Sequence, residues 1–280
     1  MREISAKTIT EAVAKLCQEA NYYLGEDVVK SLEESISKEE SPLGISVLKQ
    51  LLENARIARE EAVPICQDTG SAVVFVEVGQ EVHIVDGLLR EAIDAGVAKG
   101  YIEGYLRASM LSHPLNRKNT GNNTPAIIYT EIVPGNHIKI TVVPKGGGGE
   151  NMSSLKMLKP SDGVEGVKNF VVEAIKQAGS NPCPPLVVGV GIGGTFEQVA
   201  LLAKKALIRP IFEHSSNPDN AKLEQELLER INNTGIGPQG LGGRTTALWV
   251  NVETFPAHIA SLPVAININC HACRHKEVIL

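Results

Sequence analysis

The chain has 280 residues, 43% hydrophobic and 21% charged, with a formal net charge of −5 and a single tryptophan. That is enough for a large buried core in an ordinary globular protein, while the negative balance and scarce aromatics argue against a nucleic-acid partner or binding to an anionic membrane. Met1-Arg2-Glu3-Ile4 lacks the apolar core of a signal peptide, no apolar run reaches membrane-spanning length, and five cysteines in such a chain read as thiols or metal ligands in a cytoplasmic protein, not as a disulfide framework.

Residues 8–60 read as helices. Apolar residues fall at helical spacing around Val13 and Leu16, a second helix follows Gly25, and Pro42 suits the first turn of a third. Cys17 lies on the apolar face of the first helix and reads as core packing. Residues 71–78 are β-branched and compact, which predicts a strand, and 86–99 predict a helix stopping at Gly100. Residues 126–131 and 137–143 suggest a hairpin turning at Pro134-Gly135-Asn136. A helix is expected over 162–177, a buried strand over 186–190, helices over 196–207 and 220–231, and strands over 246–252 and 263–268. This order predicts an α+β fold, a helical N-terminal segment followed by mixed sheets surrounded by helices, in a single domain over 1–280.

Three cysteines sit in settings that hold a side chain at a fixed angle. Cys66 lies in Pro64-Ile65-Cys66-Gln67-Asp68-Thr69-Gly70, Cys183 in Asn181-Pro182-Cys183-Pro184-Pro185, and Cys270 closes a strand before His271-Ala272-Cys273. Three converging thiolates would hold an iron–sulfur cluster with one iron left open as a Lewis acid. The Cys270–Cys273 spacing alone fits half a zinc site, an iron–sulfur pair or a redox couple equally. Lys145-Gly146-Gly147-Gly148-Gly149-Glu150-Asn151 reads as an anion or cofactor loop, or as a plain turn. Gly189-Val190-Gly191-Ile192-Gly193-Gly194 satisfies the dinucleotide fingerprint formally, but no strand ending in an acid follows it. Its alternative reading is close helix–strand packing with a helix N-terminus aimed at the active site. Arg107 and Arg244 are candidates for bidentate carboxylate binding, and His258 is a lone histidine before a strand.

Together with Gly237-Pro238-Gln239-Gly240-Leu241-Gly242-Gly243, these motifs in this order resemble the alpha subunit of the class I iron–sulfur hydro-lyases, the fumarate hydratases and L-tartrate dehydratases. The resemblance runs from about Ala6 onward. It implies a [4Fe–4S] cluster held by Cys66, Cys183 and Cys270, whose open iron takes the substrate's hydroxyl and carboxylate. It implies substrate contacts at Gln67, Arg107 and Gly147, and catalytic roles for Asp68 and His258. Single-chain members carry a further C-terminal domain, so this chain resembles a separate alpha subunit, with a beta subunit supplying the base in an α2β2 assembly. The implied reaction is reversible hydration of fumarate to malate, a step of the tricarboxylic acid cycle, with dehydration of L-tartrate to oxaloacetate as the alternative. From other classes, a nicotinamide-dependent oxidoreductase using residues 189–194, or a scaffold that only carries a cluster, stay open.

Overall fold

The computed structural model describes residues 1–280. In chain order its elements are β1 (Arg2–Ser5), α1 (Ala6–Tyr22), α2 (Glu26–Lys38), α3 (Pro42–Glu61), β2 (Ser71–Gly79), β3 (Val82–Val85), α4 (Leu89–Glu103), β4 (Ile127–Val133) and β5 (Ile138–Lys145). There follow α5 (Gly147–Asn151), β6 (Ser154–Leu158), α6 (Gly163–Ala178), β7 (Leu186–Gly193), α7 (Phe196–Ala206), α8 (Pro218–Asn232), β8 (Ala247–Phe255), β9 (Leu262–Asn269) and β10 (Lys276–Ile279). The fold is α+β. The chain forms two compact units: Met1–Leu24, Ala55–Gly147 and Arg274–Leu280 make the first, Gly25–Asn54 and Gly148–Cys273 the second.

In the first unit, Ser5 caps α1 by accepting the Thr8 N–H, and Ile9, Val13, Leu16, Cys17 and Ala20 form its buried face. That face packs on α4. Gly100 does not end α4: a Cβ there would lie 2.6 Å from the Ala14 carbonyl oxygen, so the glycine serves close helix contact and the helix runs on to Glu103. The sheet has the order β10-β5-β2-β4, with β2 parallel to β4 and antiparallel to β5. β2 therefore separates the two strands expected to pair as a hairpin. The physical reason lies at the end of β2, where Gly79, Gln80 and Glu81 donate N–H bonds to the carbonyls of His137, Val133 and Gly135. The Pro134–Asn136 turn is thus an arch over the central strand. β1 and β3 form a separate parallel pair.

The second unit is built on a sheet of order β6-β9-β7-β8, in which β7 is parallel to β8 and β9 is antiparallel to both β7 and β6. Alternation along the strands sends Val188, Val190, Ile266 and Ile268 into a core with Val171 and Ile175 of α6 and Leu227 and Ile231 of α8. Ala265 instead meets Val199 and Ala203 of α7 on the opposite face. α3 carries the chain from the second unit back to the first. No helix is long and apolar enough to cross a membrane.

Candidate active site

The Cys66 turn belongs to the first unit and is fixed from beneath. Tyr101, buried on α4, donates its hydroxyl to the carbonyls of Thr69 (2.7 Å) and Gly70 (3.1 Å). Buried Asn123 donates to the Gly70 carbonyl and accepts the Ser109 N–H. Gly70 has φ +72, and a Cβ there would stand 2.7 Å from the Lys145 backbone, so only glycine lets the turn enter β2. Against this base, Cys66 is half-buried and its sulfur accepts the Asp68 N–H at 3.4 Å.

Asp68 is the hub of the arrangement. Its Oδ1 accepts the Gly70 N–H (3.0 Å), and its Oδ2 accepts the Gly147 N–H (2.8 Å). Its backbone carbonyl accepts Nη2–H of Arg274 at 2.6 Å. The glycine run is consequently no open anion loop. It tightens into the single turn of α5, whose leading N–H already faces a protein carboxylate. Thr69 Oγ1–H donates to the Arg107 carbonyl, which brings Arg107 to the same turn with its side chain exposed. Gln67 is also exposed. Cys66, Asp68, Arg107 and Gly147 are therefore one hydrogen-bonded neighbourhood, with Gln67 on the same turn.

Cys183 and Cys270 lie in the second unit, at the end of the sheet where β7 begins and β9 finishes. Cys183 is exposed and has φ +54, a backbone region a non-glycine residue seldom occupies. Its carbonyl faces the His271 backbone N–H (3.4 Å) and ring Nδ1 (3.2 Å), so the two cysteine loops are joined. Gln239 reinforces them, donating to the Pro184 carbonyl and meeting His271 Nδ1. Cys270 is half-buried. Cys273, one turn on, is buried, and its sulfur takes the Asn269 side-chain N–H at 3.2 Å. Cys17 is fully buried, and desolvation pushes its thiol up to about 12. No group of three or more His, Cys, Asp or Glu side chains is arranged to hold a single metal ion.

The fingerprint glycines are accounted for by packing. A Cβ at Gly189 would meet the Ala203 carbonyl oxygen at 2.1 Å, one at Gly191 the Val199 carbonyl oxygen at 2.4 Å, and one at Gly193 the Phe255 carbonyl oxygen at 1.9 Å. The α7 N-terminus does not lie beside Cys183 or Cys270, however. Register pairs Val187 with Asn269 and Ile192 with Val264, which puts that helix start at the far end of the sheet from Cys183 and Cys270. His258 shares that far end. It is exposed in the turn between β8 and β9, its Nδ1 accepting the Ala260 N–H. An eight-residue strand at about 3.3 Å per residue separates it from Cys270.

Arg244 acts through its backbone. Its N–H and that of Thr245 bind the carboxylate of Glu39, which also takes the N–H groups of Glu40 and Ser41. The Arg244 side chain is exposed, 3.7 Å from Glu40. Burial alone would raise the Glu39 carboxyl, but these backbone donors and the Thr245 side chain hold it down at about 2. Glu39, Tyr101, Asn123 and Arg274 are absent from the sequence reading. Only Tyr101 leaves a signal, standing four residues after Val97 and eight after Ile93 on the buried stripe of α4.

An aspartate fixed at both carboxylate oxygens and an exposed arginine tied to the same turn form a polar site in the first unit. A model of the family described as fumarate hydratase (Fumerase) matches residues 10–279, and the chain belongs to that family of hydro-lyases. It is 49% identical over 272 residues to the "Putative L(+)-tartrate dehydratase subunit alpha" of Methanocaldococcus jannaschii, covering 95% of each chain. It is 33% identical over 282 residues to the L(+)-tartrate dehydratase subunit alpha of Escherichia coli O157:H7, covering 100% of this chain and 93% of that one.

Proposed function

We propose that the chain is the alpha subunit of a two-subunit hydro-lyase that dehydrates L(+)-tartrate, working with a beta subunit in an α2β2 assembly. The names of the relatives above favour tartrate over fumarate. Fumarate hydration to malate is the second reading, favoured by the description of the matching family. On either reading both units serve one functional body over 1–280, and the enzyme acts in the cytoplasm.

The observation that carries the reading is the sorting of the five thiols. Cys17 and Cys273 are buried, as packed cysteines are. Cys66, Cys183 and Cys270 stand on loops, Cys183 exposed and the other two half-buried. Three loop cysteines left out of the core are the donor set of a [4Fe–4S] cluster with one iron lacking a protein ligand, so these three residues suit the group. When bound, the cluster would supply a Lewis acid for the departing hydroxide.

The remaining work falls to this chain's own groups. Asp68 keeps lone pairs beyond the two used by Gly70 and Gly147 and can accept a hydrogen bond from the substrate's hydroxyl, orienting the group that departs as hydroxide. The exposed guanidinium of Arg107 suits a bidentate grip on one substrate carboxylate. The Gln67 amide supplies a neutral contact that strengthens as charge builds on that carboxylate, while Gly147 acts through the Asp68 carboxylate to which its N–H is bound. The proton next to the carboxylate is taken by a base we assign to the beta subunit. With about 26 Å of strand between them, His258 is assigned no contact with the centre at Cys270.

The test is anaerobic co-expression with the beta subunit, an iron and sulfide assay, and kcat/KM for L(+)-tartrate, fumarate and malate. Iron with a clear preference for tartrate supports the proposal, and a preference for fumarate and malate promotes the second reading. A colourless complex that turns over none of them rejects both.

A further inference from the structure

Arg274 carries a charge that its surroundings leave unmatched. The residue is 4% exposed, its Nε–H is buried with no acceptor, and its single hydrogen bond runs from Nη2 to the Asp68 carbonyl. The ion pairs of its unit, such as Lys99 with Glu11 and Lys139 with Glu277, engage other residues. A guanidinium stays charged at any ordinary pH and is costly to remove from water without an anion bonded to it. A fold that only needed to tie its last segment to the turn could do so with a neutral donor. The carbonyl that Arg274 grips belongs to Asp68, whose own N–H faces Cys66 Sγ and whose carboxylate is bound to Gly70 and Gly147. The unmatched charge thus sits directly behind the turn that presents the Cys66 thiol.

We propose that Arg274 is the buried counter-charge and positioning residue of the anionic centre anchored at Cys66. This assignment rests on the iron–sulfur reading above. Three thiolates around a cluster bring net negative charge into the site, and a fixed cation behind one of them offsets it without touching substrate. The same side chain, through the Asp68 carbonyl, holds the Asp68 carboxylate on the Gly147 N–H.

Two substitutions separate charge from tethering. Arg274→Gln keeps an N–H donor for the Asp68 carbonyl and removes the charge, whereas Arg274→Lys keeps the charge and loses the planar fork. Both are made in the anaerobically assembled complex with the beta subunit, and the readouts are the cluster's reduction potential and the rate of iron loss to a chelator. Arg274→Gln is expected to move the potential to more negative values and to speed iron loss by about tenfold or more, the scale of an outer-shell change at a metal site. Arg274→Lys is expected to stay near the wild-type potential. Wild-type values in Arg274→Gln, or equal shifts in both variants, overturn the counter-charge. Should Arg274→Gln not fold, Arg274→Met, which keeps the stem and removes the charge, takes its place: a more negative potential than in Arg274→Lys supports the assignment, and equal potentials overturn it. A wild-type complex without iron rejects the iron–sulfur reading, and this assignment with it, before any variant is compared.

Discussion

Glu39 offers a stability test whose sign and pH window are both set by geometry. The residue follows the last turn of α2, where a carboxylate opposes the helix dipole. It is tolerated because four backbone N–H groups converge on it at 2.8–3.0 Å, two of them from residues more than 200 positions away. A carboxyl held at about 2 instead of the usual 4.5 is worth about 3 kcal/mol to the folded chain near neutral pH, at about 1.4 kcal/mol per pH unit. Glu39→Gln keeps the shape, removes the charge and turns an NH2 group towards N–H donors. The expected loss is therefore about 2–4 kcal/mol at pH 7, consistent with losing hydrogen bonds to a charged acceptor. Because the folded-state value is depressed, the contribution is complete above pH 4.5 and fades as pH falls towards about 2. Urea unfolding of both proteins at pH 7 and at steps down to pH 3 reads this directly. A variant as stable as wild type at pH 7, or a deficit that does not shrink on acidification, would refute the reasoning.

Other substitutions probe the remaining features. Cys66→Ser, Cys183→Ser and Cys270→Ser should each strip iron from the complex, while Cys17→Ser and Cys273→Ser keep most of it; iron per chain after desalting decides, and iron retained in Cys270→Ser but lost in Cys273→Ser would reverse the assignment in that motif. Tyr101→Phe leaves the buried Thr69 carbonyl without its donor and should cost about 1–3 kcal/mol in denaturant unfolding. Gly191→Ala drives a methyl to 2.4 Å from the Val199 carbonyl oxygen and should destabilise by about 1–3 kcal/mol, read as a lowered melting temperature, with no nicotinamide cofactor bound before or after. Asp68→Asn should lower kcat by about a hundredfold, the scale of a substrate group left misplaced, with iron content retained; unchanged turnover would remove Asp68 from the site.

How much of this was legible in the sequence depended on whether a feature is local. The burial of Cys17 followed from helical spacing, and most helices and strands were readable from periodicity. The hairpin at Pro134–Asn136 failed because strand order is decided by β2, fifty residues earlier. Gly100 looked like a stop signal but answers to the backbone of α1. The fingerprint at 189–194 could be read as a packing device, yet its distance from Cys183 needs the β7–β9 register, which no motif encodes. Glu39 and Arg274 were invisible for a shared reason: both are charged residues that the fold buries, and a hydropathy pattern assigns such residues to the surface.

The discontinuity of the first unit has a consequence for how the molecule is made. Its sheet is completed only when β10 pairs with β5, and the segment that supplies β10 also begins with Arg274. During synthesis every other part of that unit leaves the ribosome first, and the second unit's segments are already complete at Cys273. The nascent protein must therefore carry an unfinished sheet edge, and a Cys66 turn without its Arg274 contact, until that late segment arrives. Such a species exposes unpaired strand backbone, so the last seven residues close the sheet and lock the turn in a single step.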